Sequence, residues 1–211
     1  MITLMTPMTM MMKMNREIEL KLLIDKNIYT NLNQSLQNLK TPIHQHNIFF
    51  DTHQNSLRNK KWALRLRHEK EKALLTLKGP STTSHGVHSR IEIEERIDQE
   101  KTIELQNGFM KQCLPEQFLI AFDFPTEKLC PFLEFKNHRH FKDFQGFTLE
   151  LDHSIAYGNE LYECEFENTQ ENLQEVSGLI QSYFEENHWP YQPNSKNKLG
   201  WALECKAKIL N

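Results

Sequence analysis

The sequence lacks any apolar run that approaches the ~20 residues of a membrane-spanning helix, so we expect no membrane span. An excess of one charge sign is also lacking. The chain has 25 Lys and Arg against 28 Asp and Glu, a net charge of −3, which gives no general reason to bind nucleic acid or an anionic membrane. No internal repeat of fixed period is present. We therefore expect neither nucleic acid nor membrane as a partner.

Cysteine is scarce and follows no recognisable spacing. Cys113, Cys130, Cys164 and Cys205 form no CxxC pair, and Cys164 lies inside a charged strand pattern. We interpret the four as free thiols in a reducing compartment, and we expect a cytoplasmic protein.

The 211 residues and 38% hydrophobic content fit one soluble globular domain, which we place at residues 15–211. Residues 1–14 hold seven of the eight methionines and a single charge, and they make a poor signal peptide. We interpret this stretch as a disordered extension or as the product of an upstream start, with Met12 or Met14 as the true first residue.

Hydrophobic periodicity predicts an α+β chain with strands joined mainly by short turns, and therefore a mostly antiparallel sheet. Strands are predicted near residues 17–22, 46–51, 62–68, 73–78, 90–94, 133–141, 148–152 and 161–167, with a polar loop at 81–88. Residues 98–133 are only weakly helical. Clear helices are predicted from an Asp25 cap through an apolar stripe ending at Leu39, at 170–187, and from a Ser195 cap over 196–209.

Charge alternates along several of these strands. In the first strand Glu17, Glu19 and Lys21 share one face, and Ile18 and Leu20 lie on the other. The later strands repeat this pattern. The acids on the charged faces are Glu17, Glu19, Glu92, Glu94, Glu150, Asp152, Glu163 and Glu165, and the bases are Lys21, Arg65, Arg67, Lys78, Arg90 and Arg139.

Two architectures explain these charged faces. One is an open sheet with helices on one side and a solvated face on the other. The second is a closed barrel with a charged lumen, because side chains alternate inward and outward along every barrel strand. Arg and Lys clusters match phosphate oxygens, and carboxylates match Mg²⁺ or Mn²⁺, so the second architecture describes a metal-dependent polyphosphate site.

The first strand carries the ExExK pattern, Glu17-x-Glu19-x-Lys21, and here the chain resembles the CYTH superfamily of triphosphate tunnel metalloenzymes. The resemblance runs from about residue 15 to 207, nearly the whole chain. It includes Asn47-x-Phe49-Phe50-Asp51-Thr52, Leu64-Arg65-Leu66-Arg67, Leu77-Lys78-Gly79, Arg90-x-Glu92-x-Glu94, Arg139, Glu150-x-Asp152, Glu163-x-Glu165 and Ser195-Lys196, in family order. Within the family it is most similar to the plant and bacterial tripolyphosphatases.

This resemblance implies an eight-stranded antiparallel closed β-barrel with helices packed outside. It implies phosphate binding by Lys21, Arg65, Arg67, Lys78, Arg90, Arg139 and Lys196. It implies Mg²⁺ or Mn²⁺ binding by Glu17, Glu19, Glu150, Asp152, Glu163 and Glu165, with Glu92 and Glu94 in support. Among these, Lys21, Glu163 and Glu165 are the candidate catalytic residues.

The implied activity is hydrolysis of inorganic tripolyphosphate to pyrophosphate and phosphate, by a monomer or a homodimer. Thiamine triphosphatase, a class IV-type adenylyl cyclase and a non-catalytic polyphosphate-binding module are the alternatives. In the animal thiamine triphosphatases a tryptophan two residues before the first arginine stacks on the thiamine, and here that position is Ala63. Trp62 is three residues before Arg65, so strand alternation is expected to turn it outward.

Overall fold

The computed structural model describes residues 15–70, 72–84, 87–168 and 170–210, so the methionine-rich stretch 1–14 lies outside the described residues. Eight strands close into one barrel. They are β1 (Asn15–Ile24), β2 (Asn38–Asp51), β3 (Ala63–Glu69), β4 (Lys72–Ser84), β5 (Val87–Ile97), β6 (Cys130–Phe144), β7 (Phe147–Ala156) and β8 (Asn159–Glu167).

The barrel order is β1-β5-β4-β3-β2-β6-β7-β8, and β8 pairs back onto β1. Every pairing is antiparallel, as the short turns predict. The closed eight-stranded antiparallel barrel is therefore confirmed, and the open sheet is wrong. Closure follows from the register of the first and last strands, where Lys21 lies opposite Glu165 and Leu23 opposite Glu163.

Helices cover the outside of the barrel. They are α1 (Lys26–Ser35), α2 (Ser56–Asn59), α3 (Gln99–Gln106), α4 (Glu116–Ala121), α5 (Gln170–Glu186) and α6 (Lys198–Leu210). The outward side chains of β1, β7 and β8 pack under α1 and α5, and those of β2 to β5 pack under α3 and α4. No helix in the described part of the chain is long and apolar enough to span a membrane. All four cysteines are free thiols.

Trp62 lies on the outside of the barrel. Its ring centroid is 5.0 Å from that of Phe122, at the end of α4, and its indole also lies against Gly79 of β4. Burial of this indole among outer apolar groups is the packing that strand alternation predicts.

One end of the lumen is closed by apolar packing. Phe49, Leu133, Phe135 and Ala156 continue the inward alternation of β2, β6 and β7, and they pack against Ala202 and Cys205 of α6. The Phe49 and Phe135 rings stack with centroids 5.8 Å apart. The opposite end remains open to solvent.

Three predicted boundaries are wrong. The first helix is capped by Asp25, whose Oδ1 accepts from Ile28 N at 2.8 Å, but it ends at Ser35 rather than at Leu39. β2 then pairs with β6 from Asn38 onward, with register shifts around Pro42. Such irregularities let a strand accommodate a proline that cannot donate a ladder hydrogen bond.

β4 also runs past its predicted end. The sequence predicts a stop at Gly79-Pro80 and a loop over 81–88, yet β4 continues to Ser84 and β5 starts at Val87. A register shift between Lys78 and Ser81 accommodates Pro80. The third error is the start of α6, which bears directly on the site.

Candidate active site

The inward alternation of the eight strands collects the predicted charges in one lumen. Cross-strand pairs bring opposite charges together, as in Glu17 with Arg90 and Arg139 with Asp152. Two opposite sides of the lumen carry different charges. Carboxylates line the β7–β8 side, which we call the acidic wall, and the basic groups Arg65, Arg67 and Lys78 line the β3–β4 side, which we call the basic wall.

The acidic wall surrounds one lysine. Lys198 Nζ lies 2.8 Å from Asp152 Oδ2, 2.8 Å from Glu163 Oε2 and 2.5 Å from Glu165 Oε1. Burial alone would lower the pKa of Lys198, but these three carboxylates outweigh it and raise that pKa well above its usual range. Lys198 is therefore a permanent cation at neutral pH.

The pKa values of two carboxylates of this wall, Asp152 and Glu165, shift in the opposite direction. Burial would raise the pKa of Asp152 and of Glu165, but Lys198 and Arg139 outweigh it and lower both, that of Glu165 to well below its usual range. Arg139 contacts Asp152 at 2.6 Å and Glu165 at 2.7 Å, and it also pairs with Glu150. Asp152 and Glu165 are therefore ionised across the neutral range.

Lys21 connects this wall to β1. Its Nζ lies 2.8 Å from Glu165 and 3.2 Å from Glu19. Burial would lower the pKa of Lys21, but the neighbouring carboxylates, Glu165 first, raise it. Because the raised pKa keeps Lys21 protonated, it can supply positive charge but not act as a base at neutral pH.

The two guanidinium groups of the basic wall have only distant carboxylate partners, since Arg65 lies 3.7 Å from Glu92 and Arg67 lies 3.8 Å from Glu69. Lys78 contacts Glu92 at 2.6 Å and Glu17 at 3.1 Å. Burial, followed by the neighbouring cations Arg90 and Arg65, lowers the pKa of Lys78 to about 8. Burial and then Arg67 lower the pKa of Arg65 to about 9, and Arg67 is lowered by burial and by Arg139. All remain cationic at neutral pH. Lowered pKa values in buried cations indicate a region that would be stabilised by an anion.

Arg65 also has an unused donor. Its Nη2 donates to Thr76 Oγ1 at 3.3 Å and lies 3.7 Å from Glu92, but its buried Nε has no hydrogen-bond partner. On the opposite wall, the buried Glu163 Oε2 has no hydrogen bond either, although Lys198 lies close to it. The lumen therefore holds an unsatisfied donor, Arg65 Nε, on the wall that faces the carboxylate Glu163, which is paired with Lys198.

The open mouth of the lumen is a cavity of about 480 Å³ with an acidic rim. Glu17 accepts from Lys78 at 3.1 Å and from Arg90 at 2.5 Å. Burial would raise its pKa, but Lys78, Glu92 and Arg90 together outweigh burial and lower it. Partial burial and then the Glu17 and Glu150 carboxylates raise the pKa of Glu167 to about 7. Glu94 lies exposed at this rim and accepts from Thr76.

Lys196 lies outside the lumen. Its side chain is 52% exposed and pairs with Glu204 on the surface of α6. The helix begins two residues later than predicted, because Asn197 rather than Ser195 caps it: Gly200 N donates to Asn197 Oδ1 at 2.8 Å. The lysine that enters the lumen is therefore Lys198, which the sequence analysis missed.

Uncharged polar residues of the lumen were given no role from the sequence, although Asn47 belongs to one of the motifs that carry the family resemblance. Gln45, Asn47 and Asn137 are buried at inward positions, and Asn194 donates to Glu163 Oε1 at 2.7 Å. The inward parity of Asn47, two residues before Phe49 on the predicted strand, was a signal that could have found it. Asn194 lies in the segment that crosses the barrel end, where no periodicity applies.

Within the described residues, no three His, Cys, Asp or Glu side chains are already arranged to hold a metal ion. The predicted metal ligands on β7 and β8 are held by Lys198 and Arg139 instead. The clustered oxygen atoms of Asp152, Glu163 and Glu165 nevertheless fit the chemistry of a hard divalent cation.

Comparisons with known proteins agree with this geometry. A family profile for the CYTH domain matches residues 15–198. An inorganic triphosphatase of Haemophilus influenzae is 29% identical over 205 residues, covering 92% of this chain but 56% of that protein, so the chain spans little more than half of this relative. Bacillus subtilis YjbK, provisionally assigned as a triphosphatase, is 28% identical and covered over 97% of its length and 92% of this chain.

Among solved structures, the Hippeastrum protein HpAC1, introduced as an adenylyl cyclase candidate and described as having a dominant triphosphatase activity, superposes with a TM-score of 0.80. The identity is 28%, over 89% of this chain and 95% of that one. A candidate adenylate cyclase from Bacillus halodurans shares the fold at a TM-score of 0.68 and 24% identity, over 88% of this chain and 97% of that one. The profile match over most of the chain and the closed charged barrel together place this protein in the CYTH domain family.

Proposed function

We propose that this protein is a metal-dependent triphosphatase that hydrolyses inorganic tripolyphosphate to pyrophosphate and phosphate. One observation carries the proposal: Arg65 Nε is a buried donor without a partner, and it lies across the lumen from the buried carboxylates of Asp152, Glu163 and Glu165, whose charge is balanced by cations of the protein itself. A buried donor needs an acceptor and a buried carboxylate oxygen needs a cation. A polyphosphate with its metal ion supplies both.

The basic side chains of the lumen would hold the phosphate chain. These are Lys21, Arg65, Arg67, Lys78, Arg90, Arg139 and Lys198, the last in place of Lys196. Arg65 and Arg67 are the least compensated of these cations in the free protein, because their carboxylate contacts are 3.7 Å and 3.8 Å long, whereas Lys78 is already paired with Glu92 and Glu17. Charge-assisted contacts from guanidinium groups are among the strongest that phosphate oxygens receive in proteins.

The carboxylates would hold Mg²⁺ or Mn²⁺, both of which prefer oxygen ligands. The candidates are Glu17, Glu19, Glu150, Asp152, Glu163 and Glu165, with Glu92 and Glu94 in support. When bound, such an ion neutralises phosphate charge and lowers the pKa of a bound water. Glu163 and Glu165 are ligands whose loss should affect turnover, while Lys21 stabilises charge on the transferred group.

The paired state of the free lumen has a consequence for this chemistry. Lys198 and Arg139 now neutralise the acidic wall. Lys198 and Arg139 would have N–H groups free for phosphoryl oxygens if a bound cation neutralised these carboxylates instead. The same residues thus hold the empty lumen together and stabilise the substrate once the carboxylates have another partner.

The lumen favours a substrate without an organic group. Ala63 stands where a stacking tryptophan would be needed for thiamine, and the partly buried Trp62 packs against Phe122 on the outside. Of the aromatic rings that line the described lumen, Phe49 and Phe135 pack against each other and α6. Phe141 lies at the open mouth, where Lys40 Nζ is 3.5 Å from its ring centroid. A linear triphosphate needs only the charged groups.

The test is a substrate panel with purified protein and phosphate detection. Tripolyphosphate, thiamine triphosphate and ATP are each offered with Mg²⁺, with Mn²⁺ and with EDTA. We expect metal-dependent phosphate release, fastest on tripolyphosphate, and strongly reduced in Glu163→Gln. Cyclic AMP from ATP would instead identify a cyclase, and saturable binding without any phosphate release would identify a binding module.

A further inference from the structure

Asn47 has a buried side-chain amide in which one of the two polar atoms has no hydrogen-bond partner. Its side chain is 1% exposed and lines the narrow inner part of the lumen. Arg67 Nε donates to its Oδ1 at 3.0 Å. A guanidinium has no acceptor, so the amide oxygen must face Arg67 and the amide nitrogen must point away. That nitrogen, Nδ2, is buried and has no hydrogen-bond partner.

The neighbouring amides of the lumen are satisfied. Gln45 Nε2 donates to Glu69 at 2.6 Å, and Gln45 Oε1 accepts from Asn137 at 3.1 Å. Asn137 Oδ1 in turn accepts from Ser154 at 3.0 Å. This chain of bonds makes Gln45 and Asn137 structural, and it leaves Asn47 as the amide that lacks a partner among those of the described lumen.

The unused donor of Asn47 has a second unused donor beside it. Asn47 lies opposite Arg67, and Phe49 lies opposite Arg65, so Asn47 and Arg65 are diagonal neighbours on the inner face. Arg65 Nε and Asn47 Nδ2 are both buried without partners. Two adjacent unsatisfied donors inside a cation-rich wall require an acceptor from outside the protein.

The geometry points to Asn47 as a further substrate-binding residue. Its Nδ2 donates to a phosphoryl oxygen of the bound polyphosphate, while its Oδ1 holds Arg67 in the orientation that meets the same anion. The identity of the anion rests on the proposed function, but the existence of an anion contact at Asn47 does not.

Binding is measured separately from hydrolysis to keep the two apart. Titration calorimetry with inorganic tripolyphosphate in EDTA gives Kd for wild type, Asn47→Ala, Arg67→Ala and the double variant. A hydrogen bond to a charged acceptor corresponds to about tenfold or more in Kd. We expect Asn47→Ala to lose about tenfold in affinity, and to lose several-fold again when Arg67 is already alanine.

Asn137→Ala is the matched control, since it removes an equally buried amide whose groups are all paired. It should lower the melting temperature and change Kd by no more than about twofold. Should Asn47→Ala fail to fold, Asn47→Ser replaces it. The wild-type protein offers an independent readout, because the Asn47 side-chain amide protons should shift downfield in NMR spectra as tripolyphosphate is added.

Three results would overturn the inference. They are an unchanged Kd in Asn47→Ala, an effect that vanishes entirely in the Arg67→Ala background, or no saturable tripolyphosphate binding to wild type. The second would make Asn47 a positioning residue for Arg67 only. Wild-type protein that binds tripolyphosphate but releases no phosphate with metal would refute the proposed triphosphatase and leave the Asn47 contact intact.

Discussion

Replacing Lys198 by methionine removes the charge at the centre of the acidic wall and keeps an unbranched side chain of similar length. Three carboxylates within 2.8 Å then lose a partner, and two of them, Asp152 and Glu163, are fully buried. Removing one partner of a buried ion pair costs about 3–5 kcal/mol. We expect the lower end, ~3 kcal/mol, because Glu165 keeps Lys21 and Asp152 keeps Arg139.

The loss should depend on pH in a defined direction. Asp152 and Glu165 have lowered pKa values, so their stabilising effect is present above the unfolded-state pKa and is lost as pH falls through the folded-state value. Without Lys198 these pKa values rise and the carboxylates protonate more readily. The difference in the free energy of unfolding between Lys198→Met and wild type should therefore be largest near neutral pH. It should become smaller toward about pH 4–5.

The matched control is Lys196→Met. Lys196 and Glu204 are both about half exposed, and exposed pairs contribute ~0–1 kcal/mol. Urea denaturation at pH 7 and at pH 5 gives the free energy of unfolding of wild type, Lys198→Met and Lys196→Met. For a chain of this size ~3 kcal/mol corresponds to a shift in Tm on the order of 10 °C. Equal losses in the two variants, or a loss independent of pH, would refute the assignment of Lys198 to the acidic wall.

Four further outcomes are expected. Phosphate release should stop with EDTA and return with Mg²⁺ or Mn²⁺; activity that survives the chelator would contradict the carboxylate assignments. Arg65→Ala should weaken tripolyphosphate binding by ~1.5–3 kcal/mol, measured as Kd, whereas Leu66→Gln, on the buried outer face, should lower Tm instead. Affinity for tripolyphosphate should fall above about pH 8 as Lys78 loses its proton, and a flat profile to pH 9 would count against its role. The kcat/KM for thiamine triphosphate should stay below that for tripolyphosphate, and Trp62→Phe should leave the ratio of the two unchanged, because Trp62 faces outward.

The sequence predicts the faces of the strands well because alternation is a local property. Glu17, Glu19 and Lys21 lie inward together, and Leu20 and Leu22 lie buried outside, as period two requires. The sequence does not predict which inward charges meet. Lys21 contacts Glu165 because β1 closes onto β8, a contact between residues at opposite ends of the chain.

The missed lysine has a similarly physical origin. Ser195 and Asn197 are both good N-cap residues, and nothing local decides between them. The helix uses Asn197, which places Lys198 at its first position. Residues 196 and 198 point about 200° apart around a helix axis, so this choice decides which lysine enters the lumen.

Proline and glycine misled the prediction of strand ends for another reason. Pro42 and Gly79-Pro80 are strong breaking signals in isolation. In the barrel both lie at register shifts, where a strand can lose a ladder bond without ending. Tertiary pairing on both sides of β2 and β4 therefore overrides a local preference that the sequence alone shows clearly.

The charge balance of the lumen links its structure to its proposed chemistry. Side chains that are less than one-fifth exposed there comprise eight carboxylates, from Glu17, Glu19, Glu69, Glu92, Glu150, Asp152, Glu163 and Glu165, and seven cations, from Lys21, Arg65, Arg67, Lys78, Arg90, Arg139 and Lys198. Near neutrality lets these charges be buried together without a ligand. A polyphosphate that binds alone engages the Lys and Arg groups and leaves the carboxylates without partners. A metal ion that binds alone engages the carboxylates and leaves the Lys and Arg groups without partners. Each ligand therefore relieves the cost that the other creates, and the two should bind with positive coupling.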